Sequence, residues 1–584
     1  MPMKFCYSTG LILFAIAQTV VANAEESVGK KAHRVFSKHC FRCHGENGSK
    51  EGGMDYILDA ARLRDSEHVV TGNPKESDLL RRMLNGEMPP EDEPLAPSPS
   101  EIAIIEKWIS EGAPNLEAEV DSANRKFIGN AETLRSVHRY LDGIPKSHRE
   151  TIRFFSLTNL HNSNKILDQT LTGHRAALSK VLNSLSWKPI HVPDQIDNDE
   201  AVFAIDLRDY GWTHDEFWVP LTRKYPYGLK HSTYPIDLTD IANEVYEWTG
   251  TDIPVIRADW FVFVATRTPM YEQLLRLPRT VTELEDKLGV GRAEKIANSR
   301  AVRAGFVKSG VSRNNRLVER HDADNGYYWI SYDFKSSSGK QNLIERPLGP
   351  GESFERRHGR FAFEFDGGEI IFSLPNGLQG YMVTDADGNR LDEPPPIEVV
   401  RDRKEVSGSP AVINGVSCMS CHGRGMRKDF KDEVRDSSPL RGDASSIVKL
   451  LYRPDAEMRK LLDKDETRFL HALEQATGEL WRTNGETRGI QIFPEPIGPI
   501  SKWYTSKGLD IDDVAVELGL KDSSILRSAI QLDTNQTFTR LGLGPLLRPN
   551  GVIKRDSWES LDRVVSRFQE TSRLLKLGTP KVSN

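Results

Sequence analysis

The pattern Cys-x-x-Cys-His occurs twice in this chain and constrains it more than any other feature of the sequence. Two thiols and one imidazole recur at the same spacing, and a glycine follows each copy: Cys40, Cys43 and His44, then Cys418, Cys421 and His422. The chain has five cysteines, and the fifth, Cys6, falls in a segment that we expect to be removed. Every cysteine of the mature protein would then belong to one of the two motifs.

This spacing indicates a c-type haem attachment site. In such a site the two thiols form thioether bonds to the haem vinyl groups, and the adjoining histidine becomes the proximal ligand of the iron. We therefore expect two covalently attached haem c groups, with His44 and His422 as their proximal ligands.

Two other interpretations of the cysteines are open. Two Cys-x-x-Cys pairs can build one zinc site of four thiolates, and an exported chain meets an oxidising compartment in which disulfides form. A zinc site does not require a histidine after each pair, and the two pairs lie far apart in the sequence. Neither interpretation explains why both pairs are followed by histidine and then glycine.

The length and composition indicate a globular protein of several domains. A chain of 584 residues is too long for one core, and we expect about three domains. Hydrophobic residues make up 38% and charged residues 28% of the chain, as in globular proteins generally. The net charge of −6 gives no sign of the clustered basic surface that a nucleic-acid partner requires.

The N-terminus, residues 1–24, has the pattern of a cleavable signal peptide. Lys4 supplies the positive charge, residues 11–21 are apolar, and Ala22-Asn23-Ala24 is a cleavage site, so the mature chain would begin near Glu25. A membrane anchor is the alternative, but the apolar run is shorter than the roughly 20 residues of a spanning helix. We expect a periplasmic or otherwise exported protein with no stable membrane span after cleavage.

Residues 25–118 form the first predicted domain. An apolar stripe predicts a helix over residues 27–40, and a second helix is expected over residues 77–85. Ser98-Pro99-Ser100-Glu101 has the pattern of a capping box and opens a third helix, whose Trp108 we expect to pack near Phe36.

Met88 is the candidate for the second axial ligand of the first haem. It lies 44 residues after His44 (88 − 44) and precedes Pro89 and Pro90, which restrict the backbone and fix the position of the thioether. A thioether suits haem iron, and Met/His ligation raises the reduction potential. The alternative is that Met88 fills a gap in the core, which is the more usual role of a single methionine.

The order of helix, Cys-x-x-Cys-His, Met-Pro-Pro loop and Ile/Trp-rich helix resembles the planctomycete-type cytochrome c domain over roughly residues 30–115. The resemblance implies a small all-helical fold with one low-spin haem c that carries electrons. It implies Cys40 and Cys43 as thioether residues, His44 as proximal ligand and Met88 as distal ligand. It also implies attachment of haem outside the cytoplasmic membrane, which fits the signal peptide.

Residues 119–400 contain no cysteine and predict an α+β module of unknown role, with helices first and an antiparallel sheet later. Helices are expected over residues 131–143, 150–162, 164–186, 214–223, 237–249, 270–277 and 281–288. A buried strand is expected over residues 201–207. Later strands are expected to pair as 316–319 with 327–332, 361–365 with 369–374, and 380–384 with 389–391.

Two polar stretches of this module invite functional interpretations. Residues 385–389 resemble the start of a calcium loop, but the glycine stands at position 4 instead of 6, so a hairpin turn is expected. Ser312 to Arg316 and the pair Arg320-His321 lie beside aromatic residues and could line an anion or substrate site. A solvated strand edge is the simpler interpretation of these polar residues.

Residues 401–578 form the second haem region, for which we predict mainly helices, over residues 443–453, 455–463, 466–477, 511–519 and 556–576. From about residue 130 onward the chain resembles uncharacterised exported bacterial proteins that carry c-type haem, and this resemblance implies no activity. The predicted fold class is thus multidomain: an all-α cytochrome c domain, a central α+β module and a mainly α C-terminal region with the second motif.

The distal ligand of the second haem is open at this stage. Met426 is only four residues from His422, which is too near to reach the opposite haem face, whereas Met458 and His471 have workable spacing. His358 and Met382 are further candidates, and the position could be empty. The choice matters because the distal pocket decides between electron transfer and activation of a small ligand.

The sequence therefore supports three hypotheses. The first is an exported dihaem cytochrome c that exchanges electrons with a small redox protein or a respiratory-chain component. The second is a dihaem peroxidase or substrate oxidase that acts at an open second haem, in which case the enzyme is a haem c oxidoreductase whose catalytic residues are unknown. The third is a haem-based redox or ligand sensor. Fold alone does not choose among them.

Overall fold

The computed structural model describes residues 27–45, 54–66, 68–90, 96–116, 125–230, 236–307, 314–350, 356–397, 399–482, 489–562 and 564–581. The predicted signal peptide, residues 1–24, lies outside these ranges. The described residues form two compact units: a small one of residues 27–39, 57–66, 68–90 and 96–116, and a large one of residues 40–45, 54–56 and the described residues from 125 onward. The protein is multidomain and combines helices with several sheets, as the sequence predicted. The predicted domain boundaries at residues 118 and 400 stay predictions.

Five helices come first along the chain: α1 (Val28–His39), α2 (Phe41–His44), α3 (Ala60–Asp65), α4 (Asp78–Leu84) and α5 (Pro99–Ser110). All of them except α2 belong to the small unit. Here α1 packs on α5, and the rings of Phe36 and Trp108 meet edge to face with centroids 5.3 Å apart, as expected from the sequence. Both side chains are fully buried, so this contact forms the centre of the small core.

The start of α5 has the capping box that its sequence predicts. The Glu101 backbone N–H donates to Ser98 Oγ at 3.3 Å, and the Ser98 backbone N–H donates to Glu101 Oε2 at 2.8 Å. Proline at the first helical position costs no hydrogen bond, because that amide has no partner within the helix. Together these bonds fix the residue at which α5 begins.

The large unit contains the remaining helices. Up to residue 359 they are α6 (Asn130–Gly143), α7 (Thr158–His161), α8 (Asp168–Ser184), α9 (Val219–Thr222), α10 (Ile236–Thr249), α11 (Ala258–Ala265), α12 (Met270–Leu274), α13 (Val281–Leu288), α14 (Arg292–Ala297) and α15 (Arg356–Gly359). Beyond it they are α16 (Val416–Cys421), α17 (Val434–Ser437), α18 (Asp443–Leu451), α19 (Asp455–Trp481), α20 (Ile497–Ser506), α21 (Ile511–Glu517), α22 (Ser523–Gln531), α23 (Thr537–Arg540), α24 (Arg555–Glu559) and α25 (Arg567–Leu574).

A four-stranded sheet lies among the earlier helices. It consists of β1 (Ile152–Ser156), β2 (Asp194–Gln195), β3 (Val202–Asp206) and β5 (Val255–Arg257) in the order β2-β3-β1-β5, and β4 (Leu229–Lys230) lies outside it. β3 confirms the strand predicted at residues 201–207. The helix predicted over residues 150–162 is wrong, because β1 and then α7 occupy this stretch. All five residues of β1 are buried, so its apolar residues do not alternate, and periodicity cannot distinguish such a strand from a helix.

The second sheet has five antiparallel strands. They are β6 (Val302–Val307), β7 (Asn315–Ala323), β8 (Gly326–Asp333), β9 (Gly367–Ser373) and β10 (Gln379–Asp385), in the order β10-β9-β8-β7-β6. β7 and β8 pair around the predicted Asp-Asn-Gly turn. β8 is rich in aromatic residues, which favour strands because they pack well on a pleated surface.

The other predicted hairpins need correction. Residues 361–365 are not a strand; β9 instead pairs with β8 and β10. Beyond β10, residues 389–391 form only isolated bridges, between Arg390 and Thr384 and between Asn389 and Thr280. The predicted turn at residues 385–389 is present, since the Asp385 carboxylate accepts the backbone N–H groups of Asp387 and Asn389. These two hydrogen bonds satisfy backbone N–H groups inside the turn and so stabilise it.

The C-terminal part is mainly helical, as predicted, with different boundaries. The two helices expected between residues 455 and 477 are one helix, α19, and the helix expected over residues 556–576 is divided into α24 and α25. Short strand pairs join distant segments: β11 (Gly508–Leu509) pairs with β12 (Ile553–Lys554), and β13 (Thr579–Pro580) pairs with β4. Among the described residues no helix is both long and apolar enough to cross a membrane.

A buried ionic network ties the four-stranded sheet to the C-terminal helices. Arg257, the last residue of β5, pairs with Asp259 at 2.6 Å and with Glu517 at 3.1 Å. Glu517 also pairs with Arg555 at 2.9 Å. These side chains are at most 9% exposed, so each charge depends on its partners for the solvation that water would otherwise give.

We predict that Glu517→Gln destabilises the large unit by about 3–5 kcal/mol, because it leaves the two buried guanidinium groups short of a counter-charge. Urea denaturation of the full chain measures the shift of the unfolding midpoint. Asp512→Asn, at an exposed position of the same helix α21, is the control and should change the midpoint little. Equal midpoints for Glu517→Gln and the control would contradict the prediction.

Candidate functional site

The first motif occupies one helical turn. The backbone N–H of His44 donates to the carbonyl oxygen of Cys40 at 2.9 Å, and that of Cys43 donates to the same oxygen at 3.2 Å. Residues at positions i, i+3 and i+4 of a helix share one face. The turn therefore brings the two thiols and the imidazole together on one side, as a c-type haem site requires.

Gly45 ends this turn because a larger residue does not fit at this position. A Cβ atom placed there would lie 2.4 Å from the Phe41 ring and 2.5 Å from its carbonyl oxygen, closer than real contacts allow. The Gly45 backbone N–H donates to that oxygen at 2.8 Å and closes the turn. The glycine after the first Cys-x-x-Cys-His is thus part of how the motif folds. Burial also raises the pKa of the Cys40 thiol to about 12, so this thiol is protonated at neutral pH.

In the small unit, the residue before the motif is fixed to the start of α5. His39 Nε2 and Glu101 Oε1 are 3.1 Å apart, and Lys38 Nζ donates to the same oxygen at 2.8 Å. These bonds, with those from Ser98, hold the pKa of Glu101 well below its usual range although burial opposes the shift. The end of α1 is thereby anchored to the start of α5 within the small unit.

Met88 is half-buried and belongs to the small unit. Its backbone N–H donates to the carbonyl oxygen of Arg82 at 3.2 Å, just beyond the end of α4. This bond holds the Met-Pro-Pro loop against the helix that precedes it. The role of Met88 as distal ligand stays a prediction.

The second motif also forms a helical turn, at the end of α16. The backbone N–H of His422 donates to the carbonyl oxygen of Cys418 at 2.8 Å, which places both motif thiols and the imidazole as in the first copy. Gly415, with φ of +89°, precedes α16, and a Cβ atom there would lie 2.6 Å from the carbonyl oxygen of Thr266. Burial raises the pKa of both Cys418 and Cys421, the latter to about 11.

The imidazole of His422 is oriented by the backbone. Its Nδ1–H donates to the carbonyl oxygen of Gly425 at 3.1 Å, which leaves Nε2 as the nitrogen that can accept a metal. Metal-bound histidines usually donate their other ring N–H in this way, because the bond fixes the tautomer and the ring orientation. Burial lowers the pKa of His422 to about 4, so the ring is neutral at physiological pH. The residues present therefore fit a proximal haem ligand.

One face of the five-stranded sheet lies against the second motif. The rings of Tyr381, on β10, and His422 have centroids 6.2 Å apart. Phe306, on β6, stacks on Phe430 with centroids 5.0 Å apart. The same face carries Arg316, the residue in register with Phe306. The sheet is thus the wall of the second site.

The polar cluster suggested from the sequence is divided between two faces of this sheet. Arg316 faces the second motif, and Arg320, on the same face, pairs with Asp465 of α19 at 2.9 Å. His321 points to the opposite face and lies 2.8 Å from Glu319, with both side chains fully buried. These groups are buried, so the expectation of a solvated strand edge is wrong for them; residues 312 and 313 lie outside the described chain.

Sequence reasoning missed two acidic residues of this wall, Asp333 and Glu369. Asp333 ends β8 in register with Gly367, and Glu369 lies two residues further along β9, so their proximity depends on strand pairing between segments more than 30 residues apart. A charged residue inside an otherwise apolar strand was the available signal. It is weak, because the same pattern occurs in strands with one solvated face.

The candidates for the distal ligand of the second haem differ in burial and in orientation. His471 is exposed on α19. Met382 is fully buried but adjoins Tyr381 on β10, and successive side chains of a strand point to opposite faces, so it points away from the motif. Met458 and His358 are buried, and Met426 packs at the edge of the core. The placements of His471 and Met382 do not support them as ligands.

The alternatives to haem make their own demands on the four motif cysteines. The structure has no disulfide between any of the four motif cysteines. In the part of the chain that the structure describes, no group of three or more His, Cys, Asp or Glu side chains is arranged to hold a metal ion. A zinc site of four thiolates would need all four cysteines in one such group.

Comparison with known proteins agrees with the first motif. Residues 40–92 match the family model of the planctomycete cytochrome C, a range that contains Cys40, Cys43, His44 and Met88. The N-terminal module is therefore identified as a planctomycete-type cytochrome c domain, a class that binds haem c and transfers electrons. No curated protein and no solved structure matches the chain.

We predict that Glu101→Gln lowers the stability of α5 and of its anchor to α1 by about 1–2 kcal/mol at pH 7. The folded pKa of Glu101 is depressed, so its stabilising effect is complete above the unfolded pKa of about 4.3 and is lost as the pH falls through the folded value. The difference between wild type and variant should thus shrink below about pH 4. Hydrogen exchange of the α5 amides, compared at equal pH, measures it.

Glu106→Gln, at an exposed position of the same helix, is the control for this experiment. A difference between Glu101→Gln and wild type that stays constant down to pH 2 would contradict the assigned role of the carboxylate.

Proposed function

We propose that this protein is an exported dihaem c-type cytochrome that transfers electrons. One haem would be attached to Cys40 and Cys43, with His44 and Met88 on the iron. The other would be attached to Cys418 and Cys421, with His422 on the iron. The observation that carries the proposal is the orientation of His422, whose Nδ1–H is bound by a backbone carbonyl so that Nε2 is left for a metal.

Each bound haem would supply the one-electron couple of its iron. The residues around each haem would set the position of the iron and its reduction potential. His422 is neutral and half-buried, so its Nε2 can bind the metal without first losing a proton. The apolar and aromatic residues around α16, which include the fully buried Val416 and Met419, would keep water from the second site.

The electron partner is proposed to be a small redox protein or a respiratory-chain component, and the location periplasmic or otherwise exported. The cytochrome c class of the N-terminal module supports both proposals, since such domains are typically exported. The predicted signal peptide at residues 1–24 would direct the export. No nucleic acid is proposed as a partner.

A dihaem peroxidase or substrate oxidase is the second candidate. It is favoured by the exposure of His471 and by the orientation of Met382, which remove two of the residues that could close the distal side of the second haem. An iron with an open position could bind peroxide or another small ligand. The spin state of the second haem separates the two proposals, because only an open or weakly ligated iron would be high-spin.

We predict two covalent haems per chain when the protein is produced in a host that matures c-type cytochromes. Intact mass spectrometry should show two haems on the wild type and one on each double variant, Cys40→Ser/Cys43→Ser and Cys418→Ser/Cys421→Ser. Each double variant is the control for the other, because the two motifs lie apart in sequence. A wild-type protein with fewer than two haems would refute the dihaem proposal.

We predict that Met88→His lowers the reduction potential of the first haem by on the order of 0.1 V, within the roughly 0.8 V that axial ligands command. Replacing the thioether removes the ligand that favours the reduced iron. Redox titration followed by absorption measures the potential. Met54→Leu, at another half-buried methionine, is the control. An unchanged potential in Met88→His would show that Met88 is not the ligand.

A further inference from the structure

Three charged side chains form a cluster on the sheet face that lies against the second motif. Arg316 Nε is 3.3 Å from Asp333 Oδ1, and the Arg316 guanidinium also donates to the Glu369 carboxylate. Ser331 lies between them: its Oγ accepts from Arg316 at 2.9 Å. The side chain of Arg316 is 9% exposed, that of Asp333 2% and that of Glu369 18%.

Strand pairing puts this cluster and the residues nearest the second motif on one face. Ser331 pairs with Val318 on β7, two residues from Arg316. Tyr381, the ring that lies 6.2 Å from His422, pairs with Ile371, two residues from Glu369. Residues two apart on a strand point the same way. The cluster therefore faces the segment that carries the motif.

Electrostatic effects across this interface agree with the placement. The Glu369 carboxylate opposes the lowering of the His422 pKa by burial, and Arg316 adds to that lowering. The other charged and titratable groups that face the cluster come from the motif segment and from the Arg320–Asp465 pair beside it: Cys418, Cys421, His422, Arg427, Arg320 and Asp465. Arg320 and Asp465 neutralise each other, and neither thiol is ionised at neutral pH.

The cluster has one positive group for two carboxylates. Two carboxylates that share one guanidinium in a buried site cannot both ionise without cost, so one of them readily holds a proton. Burial raises the pKa of Asp333 to about 7, with Arg316 opposing this shift and Glu369 adding to it. Asp333 therefore gains and loses a proton within the physiological pH range.

We propose that the Arg316–Asp333–Glu369 cluster is the proton acceptor coupled to electron transfer at the second haem. The inference rests on the proposed haem at Cys418 and Cys421. Cys418, Cys421 and His422 would hold the haem, which would supply a one-electron couple. For each electron that it would take from a reduced redox protein, one proton would move from solvent to a carboxylate oxygen of Asp333. The charge of this buried region then stays constant, which avoids the cost of adding a charge to a poorly solvated site.

The proposal gives a specific pH dependence. An added electron raises the proton affinity of the Asp333 carboxylate, so its pKa is higher in the reduced state than in the oxidised state. Between these two pKa values the reduction potential of the second haem should fall as the pH rises. One proton per electron gives at most a tenfold change in the redox equilibrium per pH unit, which is about 59 mV.

The test is a redox titration of the full holoprotein between pH 5 and pH 9, with each haem followed separately. In the wild type the second haem should show a pH-dependent potential around pH 7. Asp333→Asn keeps the shape of the side chain and removes the titrating carboxyl, so the potential of the second haem should lose this dependence. Glu369→Gln tests the same pair if Asp333→Asn fails to fold, and it should move or remove the dependence.

Asp322→Asn is the matched control, because Asp322 lies on the same strand and the same sheet face as Arg316, but its side chain is 77% exposed. This variant should keep the wild-type slope. A wild-type protein with two haems whose second potential does not change with pH, or an Asp333→Asn variant with the wild-type slope, would overturn the proton-acceptor proposal alone. A protein that carries no haem on Cys418 and Cys421 would overturn the dihaem proposal as well.

Discussion

The hydrogen bond from the half-buried imidazole of His422 to the carbonyl oxygen of Gly425 decides which ring nitrogen can bind a metal. The backbone turn from Cys418 to His422 sets the position of the ring, and the bond to Gly425 sets its tautomer. Burial keeps the ring neutral. The chemistry assigned to the second site depends on these three constraints acting on one side chain.

The two motifs share a local geometry and differ in their surroundings. The first is followed by a Met-Pro-Pro loop and matches a known class of cytochrome c domain. The second lies against a five-stranded sheet whose wall carries Arg316, Asp333 and Glu369. Two haems attached by the same motif in such different surroundings would have different reduction potentials. The axial ligands and the nearby charges both change the reduction potential of the iron. That difference would give electrons a preferred direction.

The sequence was informative where a feature is local. The capping box at Ser98, the contact of Phe36 with Trp108 and the strand around residue 204 follow from residue type and spacing, and the structure has them. The sequence failed where tertiary burial removes periodicity, as in β1, whose residues are buried on both faces. It also failed where a property depends on pairing between distant strands. Asp333 and Glu369 come together only through the register of β8 and β9. A local sequence pattern does not predict this register.

The central claim is that both motifs carry haem iron in one chain, and a redox-poised absorption and magnetic-resonance spectrum of the purified mature protein tests it most directly. The account predicts two distinct haem signals of equal amount that change at different potentials, with the higher potential belonging to the haem on Cys40 and Cys43. A single signal equal to one haem per chain, or a colourless protein, would contradict it.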